Sequence, residues 1–338
     1  KTIKNIKRIN QVIQVLIKYG FEDFVANTAL IKLVPKRTQL TWKRKDIPVF
    51  EYTRWERIRM VFEELGATFV KLAQVLSDRP DILPEPLIKE FQKLQANVPP
   101  FEYSEVEKII LSETGKETNE IFDHFDEKVI GSASIGQVHR ARLKTGEEVV
   151  VKIQRPGVKQ LVETDLRLLT EFVKRSESYF EKNGITNLID IVTTFEKTMQ
   201  KEMDYNHEAR NIEQFRLYYK KKKRFYVPKA YKDYTTEKVL VIEYAEGCKI
   251  TNIQQLTDWN LNLEKVAENG MHIYLTQIFE HGFFHADPHP GNIIIKKDGT
   301  ICLIDFGMVG KLMKRDKYAI AGIFIGMAQK NPEKMATN

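Results

Sequence analysis

Three side chains near the end of the chain have the types and spacing that phosphoryl transfer needs. In Gly282-Phe283-Phe284-His285-Ala286-Asp287-Pro288-His289-Pro290-Gly291-Asn292, Asp287 and Asn292 stand on an irregular, Pro-stiffened loop. In Ile301-Cys302-Leu303-Ile304-Asp305-Phe306-Gly307, a second Asp leads into Gly after a short apolar run. A nucleoside triphosphate presents several negative oxygens. A protein that uses it must hold Mg2+ against them with hard oxygen ligands and set one further carboxylate near the accepting group. Asp305 and Asn292 have the ligand chemistry, and Asp287 is placed to be the base or the orienter of the nucleophile.

The chain between these residues must bring them together. Ile293-Ile294-Ile295 and Ile301-Cys302-Leu303 flank Lys297-Asp298-Gly299-Thr300, which predicts a hairpin turning at Asp-Gly with Asn292 and Asp305 side by side at its open end. A His/Asp/Asn-rich turn on a purely structural hairpin is the competing reading. Against it, two spaced elements match the kinase signature in the right order.

Upstream stretches supply what else such a site needs. Val129 to Ala141 reads as strand, small-residue loop and strand, and the small side chains Ser132, Ala133 and Ser134 let a backbone approach phosphates, a weak signal alone. Glu148 to Ile153 predicts a buried strand whose Lys152, flanked by Val151 and Ile153, is costly unless paired and is the expected partner of the nucleotide phosphates. Its candidate acidic partner lies in Lys201 to Asn211, read as one helical stretch, where Glu202, Asp204 and Glu208 fit a solvated helix equally well. Lys238 to Tyr244 predicts a strand leading to Ala245-Glu246-Gly247, so Glu243 and Tyr244 would meet an adenine. The helix Val266 to His281 then delivers the chain to the Asp287 loop.

Nearer the start, Phe69, Leu72, Val75 and Leu76 make one helical stripe and Lys71 and Gln74 share another face, where a solvated role competes with a polar contact. Pro80 and Pro84 end that helix. Ile3, Ile6, Ile9, Val12, Ile13, Leu16 and Ile17 recur at helical spacing with Lys4, Lys7, Arg8 and Lys18 on other faces. Such a basic amphipathic helix packs on a core or lies on an anionic membrane surface. Pro35 to Pro48 reads as a polar connection, and Lys220 to Arg224 as a solvated charge run.

With 338 residues, 42% of them hydrophobic, the chain can bury a sizeable core. Its formal charge of +7 and pI near 9.0 suit an acidic partner. Because Lys and Arg are spread along the chain, nucleotide phosphate or anionic lipid accounts for this as well as nucleic acid, which is not expected as a partner. Cys248 and Cys302 lack metal-ligand spacing, and no disulfide framework exists, so a reduced, cytoplasmic compartment is expected. No apolar stretch reaches the ~18 residues that span a bilayer. The longest, Ala319 to Ala328, predicts a buried helix. A start without Met and an end soon after Asp305 suggest a fragment, with any membrane anchor outside it.

From about Leu65 to Gly307 the chain resembles the UbiB family, also called ABC1 or AarF, of atypical protein-kinase-like proteins tied to isoprenoid quinone biosynthesis. Lys71-Leu72-Ala73-Gln74 resembles its KxGQ signature, with Ala73 where the family has Gly, an added methyl that puts in question how closely that helix approaches the nucleotide. Ala133-Ser134 resembles the alanine-rich substitute for the Gly-rich loop, Lys152 the strand lysine, and Glu202 with Asp204 the ExD motif. Asp287, Asn292 and Asp305 resemble the catalytic Asp and the two metal ligands.

The resemblance implies an α+β, two-lobed, protein-kinase-like fold with an N-terminal helical extension packed over the active-site cleft. The expected divisions are 1–125 for the extension, 126–247 for the N-lobe and 248–338 for a truncated C-lobe. It further implies ATP and Mg2+ as cofactors, ATP-dependent phosphotransfer or ATPase activity without protein phosphorylation, and a lipid-soluble quinone precursor met next to a membrane. A small-molecule kinase of the aminoglycoside or choline type shares the loop pattern but has no segment like Lys71 to Gln74. A non-catalytic nucleotide sensor would need no residue at Asp287.

Overall fold

The computed structural model describes residues 2–28, 51–77, 79–94, 98–182, 187–220 and 224–329. The connection read at Pro35 to Pro48, and Lys221 to Lys223 of the charge run, lie outside the described residues. Helices and sheets are mixed, as the α+β expectation requires. The chain forms two compact units, each drawn from several stretches: 1–106, 129–138 and 153–203 in the first, and 107–128, 139–152 and 204–338 in the second.

The first unit is built from α1 (Thr2–Lys18), α2 (Glu22–Asn27), α3 (Arg54–Leu65), α4 (Ala67–Ser77), α5 (Glu85–Phe91), and, after the short helices α6 (Tyr103–Thr114) and α7 (Thr118–Ile121), from α8 (Val158–Lys182) and α9 (Leu188–Glu202). Capping sets its joints. Thr53 and Glu56 form a reciprocal capping box at the start of α3. Gly66, at φ +90°, closes α3 and lets α4 leave in a new direction.

The apolar stripe of α1 packs within the unit from Ile9 onward. Ile9, Ile13, Val15 and Tyr19 are buried, and Val12 and Leu16 pack with Val61, Leu65 and Phe69. Arg8 corrects the sequence reading, which put it on a polar face. Its guanidinium is buried and grips Asp165 of α8 through two hydrogen bonds, Nε to Oδ1 at 2.6 Å and Nη2 to Oδ2 at 2.9 Å, while Nη2 also donates to the Leu65 carbonyl at 2.7 Å. A fork of fixed donors meeting a carboxylate bidentately satisfies both charges at once, which is why Arg rather than Lys can be buried there.

The second unit carries two sheets and the helices that flank them. In it, residues 122–128 of β1 (Phe122–Ser132), 139–143 of β2 (Gly136–Leu143) and 148–152 of β3 (Glu148–Gln154) run beside one another. The next helix is α10 (Tyr205–Tyr219), and β4 (Phe225–Tyr226) follows it. β5 (Val239–Glu243) then pairs with β3. Strand structure begins at Phe122 rather than at Val129, because β1 is an edge strand whose largely exposed Asp, His and Glu side chains give no apolar alternation to read.

A second sheet, in the order β4, β9 (Ile301–Leu303), β8 (Ile293–Ile295) and β6 (Cys248–Lys249), is joined by a two-stranded pair of β7 (Phe283–His285) and β10 (Val309–Lys311). The pairing is antiparallel in β6–β8, β8–β9 and β7–β10 but parallel between β4 and β9. Helices α11 (Ile253–Asp258) and α12 (Leu263–Leu275) precede a π-helical turn, Thr276–His281, and α13 (Lys314–Ala328) ends the described chain. The core gathers Ile212, Phe215, Leu240, Leu256, Ile295 and Phe306. Contrary to the reading of its apolar run as a buried helix, α13 exposes Tyr318, Phe324, Ile325 and Met327. No helix among the described residues is long and apolar enough to cross a membrane.

Removing one partner of the buried Arg8–Asp165 pair leaves a charge without compensation. Arg8→Met should therefore cost about 3–5 kcal/mol in urea unfolding, whereas Arg8→Met with Asp165→Leu should recover most of that loss.

Candidate nucleotide site

The hairpin expected from the sequence is present and sets the geometry. β8 and β9 pair antiparallel with Ile293 opposite Leu303 and Ile295 opposite Ile301. Lys296 N donates to Thr300 O at 2.9 Å, Gly299 takes the left-handed conformation at φ +82°, and Asp298 Oδ1 accepts from Thr300 N at 2.9 Å to close the turn. At the open end Ile304 N donates to Asn292 O at 2.9 Å, so the chain positions of Asn292 and Asp305 are fixed to one another through the backbone.

Asn292 reaches back across its own loop. Its Nδ2 donates at 3.2 Å both to the Asp287 carbonyl and to Asp287 Oδ2. These bonds fix the amide so that Oδ1 is the atom left for a cation, and they steady the Asp287 carboxylate. Asp305 is one of three non-glycine residues at positive φ among the described residues, at +61°. An aspartate tolerates that conformation because its short side chain can bond locally, here accepting Gly307 N on Oδ1 at 3.3 Å.

Beneath this loop lies a support that the sequence reading quoted but did not select. His285 is fully buried on β7. Its Nε2 faces two carbonyls, Asp305 O at 2.9 Å and Ile304 O at 3.3 Å, and its Nδ1 receives Asp287 N–H at 3.3 Å. Those partners define the neutral tautomer with the proton on Nε2. One imidazole thus ties the backbone of Asp287 to that of Asp305. His285 N in turn donates at 2.8 Å to Oε1 of the buried Gln277, which sits in the π-helical turn. Gly282 at φ +60° ends that turn where an added Cβ would meet Leu312 O at 2.9 Å.

The strand lysine is paired as its burial demands, with Glu208. Lys152 Nζ lies 2.6 Å from Glu208 Oε1 and 3.5 Å from Asp305 Oδ1. Burial works to pull the ammonium down, but the Asp305 and Glu208 carboxylates outweigh it and raise its pKa, so Lys152 is charged. Burial pushes the Glu208 carboxyl up, against the pull of Lys152 and of Phe306 N–H, which donates to Oε1 at 3.2 Å.

Glu202 and Asp204 stand elsewhere because Lys201 to Asn211 is two helices, not one. α9 ends at Glu202, and Asp204 leaves helical geometry to cap α10 with its carboxylate on Asn206 N at 2.9 Å. Glu202 meets Lys71 of α4, Nζ to Oε1 at 2.9 Å, within the first unit. On the same helix Gln74 is half-buried, its carbonyl accepting Ser77 Oγ at 2.7 Å. Ala73 is wholly buried, and its methyl packs with Val70, Leu87, Phe91 and Leu94, so α5 takes up the group that departs from the family motif.

The small-residue loop also belongs to the first unit. Ser132 Oγ donates to Val98 O at 2.7 Å, Ala133 N donates to Gly136 O at 2.8 Å, and Ser134 is buried. At the expected adenine hinge, in the second unit, Glu243 Oε2 accepts Lys229 N at 3.0 Å and Oε1 accepts the Tyr226 hydroxyl. Tyr244 N donates to Glu148 O at 2.9 Å, and the Arg140 guanidinium lies 4.4 Å over its ring. The Glu243 side chain therefore braces the hinge. Gly247 leaves it so close to β8 that a Cβ would meet Ile295 O at 2.5 Å. Burial pushes the Cys302 thiol up to about 12, which keeps it protonated and inert on the hairpin.

The mixed helix and sheet architecture is kinase-like, and it aligns with the solved complex of Rv3197 with erythromycin from Mycobacterium tuberculosis. That alignment has a TM-score of 0.60 at 27% identity and covers 83% of this chain and 71% of the other. The ABC1 atypical kinase-like domain model matches residues 93–338. The chain belongs to the ABC1 atypical kinase-like family, as the resemblance in its motifs implied. Relatives described as probable protein kinase UbiB include one from Pseudomonas fluorescens, 36% identical over 321 residues, which covers 94% of this chain and 60% of the relative. Another, from Azotobacter vinelandii, is 35% identical over 337 residues, covering 98% of this chain and 63% of the relative. The chain thus spans about 60% of the length of the curated relatives it matches.

His285 is the residue on which the relative placement of Asp287 and Asp305 turns. His285→Leu should leave Asp287 N–H without its acceptor and two carbonyls without their donor, at about 1–3 kcal/mol for each group stranded. Chemical denaturation should show that loss, and His285→Gln, which can offer both a donor and an acceptor, should restore part of it.

Proposed function

We propose that this chain binds Mg-ATP and turns it over, as an atypical kinase or ATPase that supports isoprenoid quinone synthesis of the ubiquinone type. The observation that carries the reading is the convergence, within the second unit, of Asp287, Asn292 and Asp305 at one hairpin end with the charged Lys152 3.5 Å from Asp305. A structural hairpin needs no buried cation aimed at its loop carboxylate. The quinone assignment is supported by the relatives' name, UbiB.

The donor set fits Mg2+. Asp305 offers a half-exposed carboxylate and Asn292 an amide oxygen, both hard ligands. Mg2+ keeps several waters and takes phosphate oxygens beside one or two protein ligands, so two donors suffice. When bound, Mg2+ would neutralise phosphate charge at Asp305 and Asn292. Lys152 would pair with phosphate oxygens of ATP, held in position by Glu208. Asp287, its carboxylate steadied by Asn292, would orient and deprotonate the acceptor hydroxyl or water. Glu243 and Tyr244 would present the hinge to adenine, while Ser132, Ala133 and Ser134, in the first unit, enter as motif residues. Lys71, Gln74, Glu202 and Asp204 enter as motif residues: in the first unit Lys71 and Glu202 neutralise one another, and Asp204 starts α10.

The acceptor we favour is a lipid-soluble quinone precursor, with water as the default. Relatives named UbiB that align over 98% of the chain support this over an aminoglycoside or choline kinase. Contact with an anionic membrane would not use Ile9 and Ile13 of the α1 stripe, which are buried in their own unit.

Two variants separate the assigned roles. Asp305→Asn should lower Mg-dependent ATP affinity by at least about tenfold in a protein that remains folded. Asp287→Asn should bind Mg-ATP nearly as before and lose about 10²–10⁴-fold in ADP release, because its role arises in the transition state. Equal loss of binding and turnover in Asp287→Asn would contradict the assignment.

A further inference from the structure

Within the first unit, the helices leave a cavity of about 180 Å³ that the nucleotide chemistry does not use. Every lining side chain is aliphatic or aromatic. Val12 and Leu16 come from α1, Phe62 and Phe69 from α3 and α4, and Leu168 and Phe172 from α8. Among the described residues no polar side chain reaches it. The Arg8 guanidinium, which lies over the ring of the lining Phe69, is consumed by Asp165, Gln11 and the Leu65 carbonyl.

Water gains nothing in such a space, since a held water needs two to four polar partners. An empty void of this size forfeits the dispersion contacts of every side chain around it. A hydrocarbon regains them. Apolar cavities of ~150 Å³ stay dry and take up benzene, so this one has room for an alkyl or aryl group of roughly six to ten carbons. Ile9, Val61, Leu65 and Leu72 form fully buried walls, while Val12, Leu16, Phe24, Leu168 and Phe172 are only half-buried, an asymmetry that gives a ligand a deep end and a side of entry.

We infer that this cavity, lined by none of the residues assigned to the nucleotide, binds the uncharged hydrocarbon portion of an apolar ligand, a reading independent of the one given to them. Leu72 lines it from α4, next in sequence to Lys71, and packs with Phe195 and Met199 of α9, the helix that ends in Glu202. Filling the cavity therefore loads the two helices that hold the Lys71–Glu202 ion pair.

The test titrates the whole chain with n-butylbenzene. Binding at this site predicts a saturable rise in melting temperature by mass action and selective shifts of the Val61 and Leu72 methyl resonances, with those of Leu240 and Ile295 in the other unit unmoved. Leu168→Phe and Val12→Phe fill the space from opposite helices, and either should weaken binding by at least about tenfold. No saturable binding, equal affinity in a folded filled variant, or methyl shifts confined to the second unit would each overturn the site. Should a filled variant fail to fold, the methyl shifts of the unsubstituted chain decide alone.

Discussion

The second unit depends on one buried charge. A lysine ammonium in the middle of a β-strand, between Val151 and Ile153, is tolerated only where acids reach it. Glu208 does so from α10 at 2.6 Å, and Asp305 from the far side of the hairpin at 3.5 Å. Through this cation three elements that are distant in sequence, β3, α10 and the segment after β9, are obliged to meet. The two acids are not equivalent. Glu208 is almost fully buried and also accepts Phe306 N–H, whereas Asp305 is half-exposed, so only Asp305 can exchange its neighbour for a ligand from solution.

The loop carrying the other candidate groups is held by hydrogen bonds within itself and its hairpin and by one from His285 N to Gln277 of the π-helical turn. His285 spans from Asp287 N to Asp305 O, Asn292 spans back to Asp287, and the β8–β9 ladder brings Ile304 N to Asn292 O. Fixing polar groups before a ligand arrives lowers the ordering cost at binding and lets electrostatic stabilisation act without reorganisation. In the first unit a different polar device, Arg8 on Asp165, binds α1 to α8 around a largely apolar interior.

Local chemistry made part of this legible from sequence. Asp-Gly between two apolar runs is a strong hairpin signal, and the hairpin it predicts joins Asn292 to Ile304, the neighbour of Asp305. The α1 stripe showed that a face must be covered, though not by what. Other features were hidden for identifiable reasons. Met203 and Asp204 break a helix without Gly or Pro, so Glu202, Asp204 and Glu208 read as neighbours on one helix when they serve an ion pair, a cap and the Lys152 charge in turn. Arg8 reads as solvated until Asp165, far away in the chain, is placed against it. A solvated edge strand such as β1 has no alternation to find, and the exposed apolar residues of α13 mimic a buried run. Pairing over long sequence separation is the information that periodicity lacks.

Glu208 is what allows a charged Lys152 beside Asp305. A double-mutant cycle on stability, with Lys152→Met, Glu208→Gln and the two combined, measures that pairing directly. The account predicts a coupling energy above about 1 kcal/mol, with each single change costing more than its share of the double. Additive effects of the two changes, with no coupling, would contradict it.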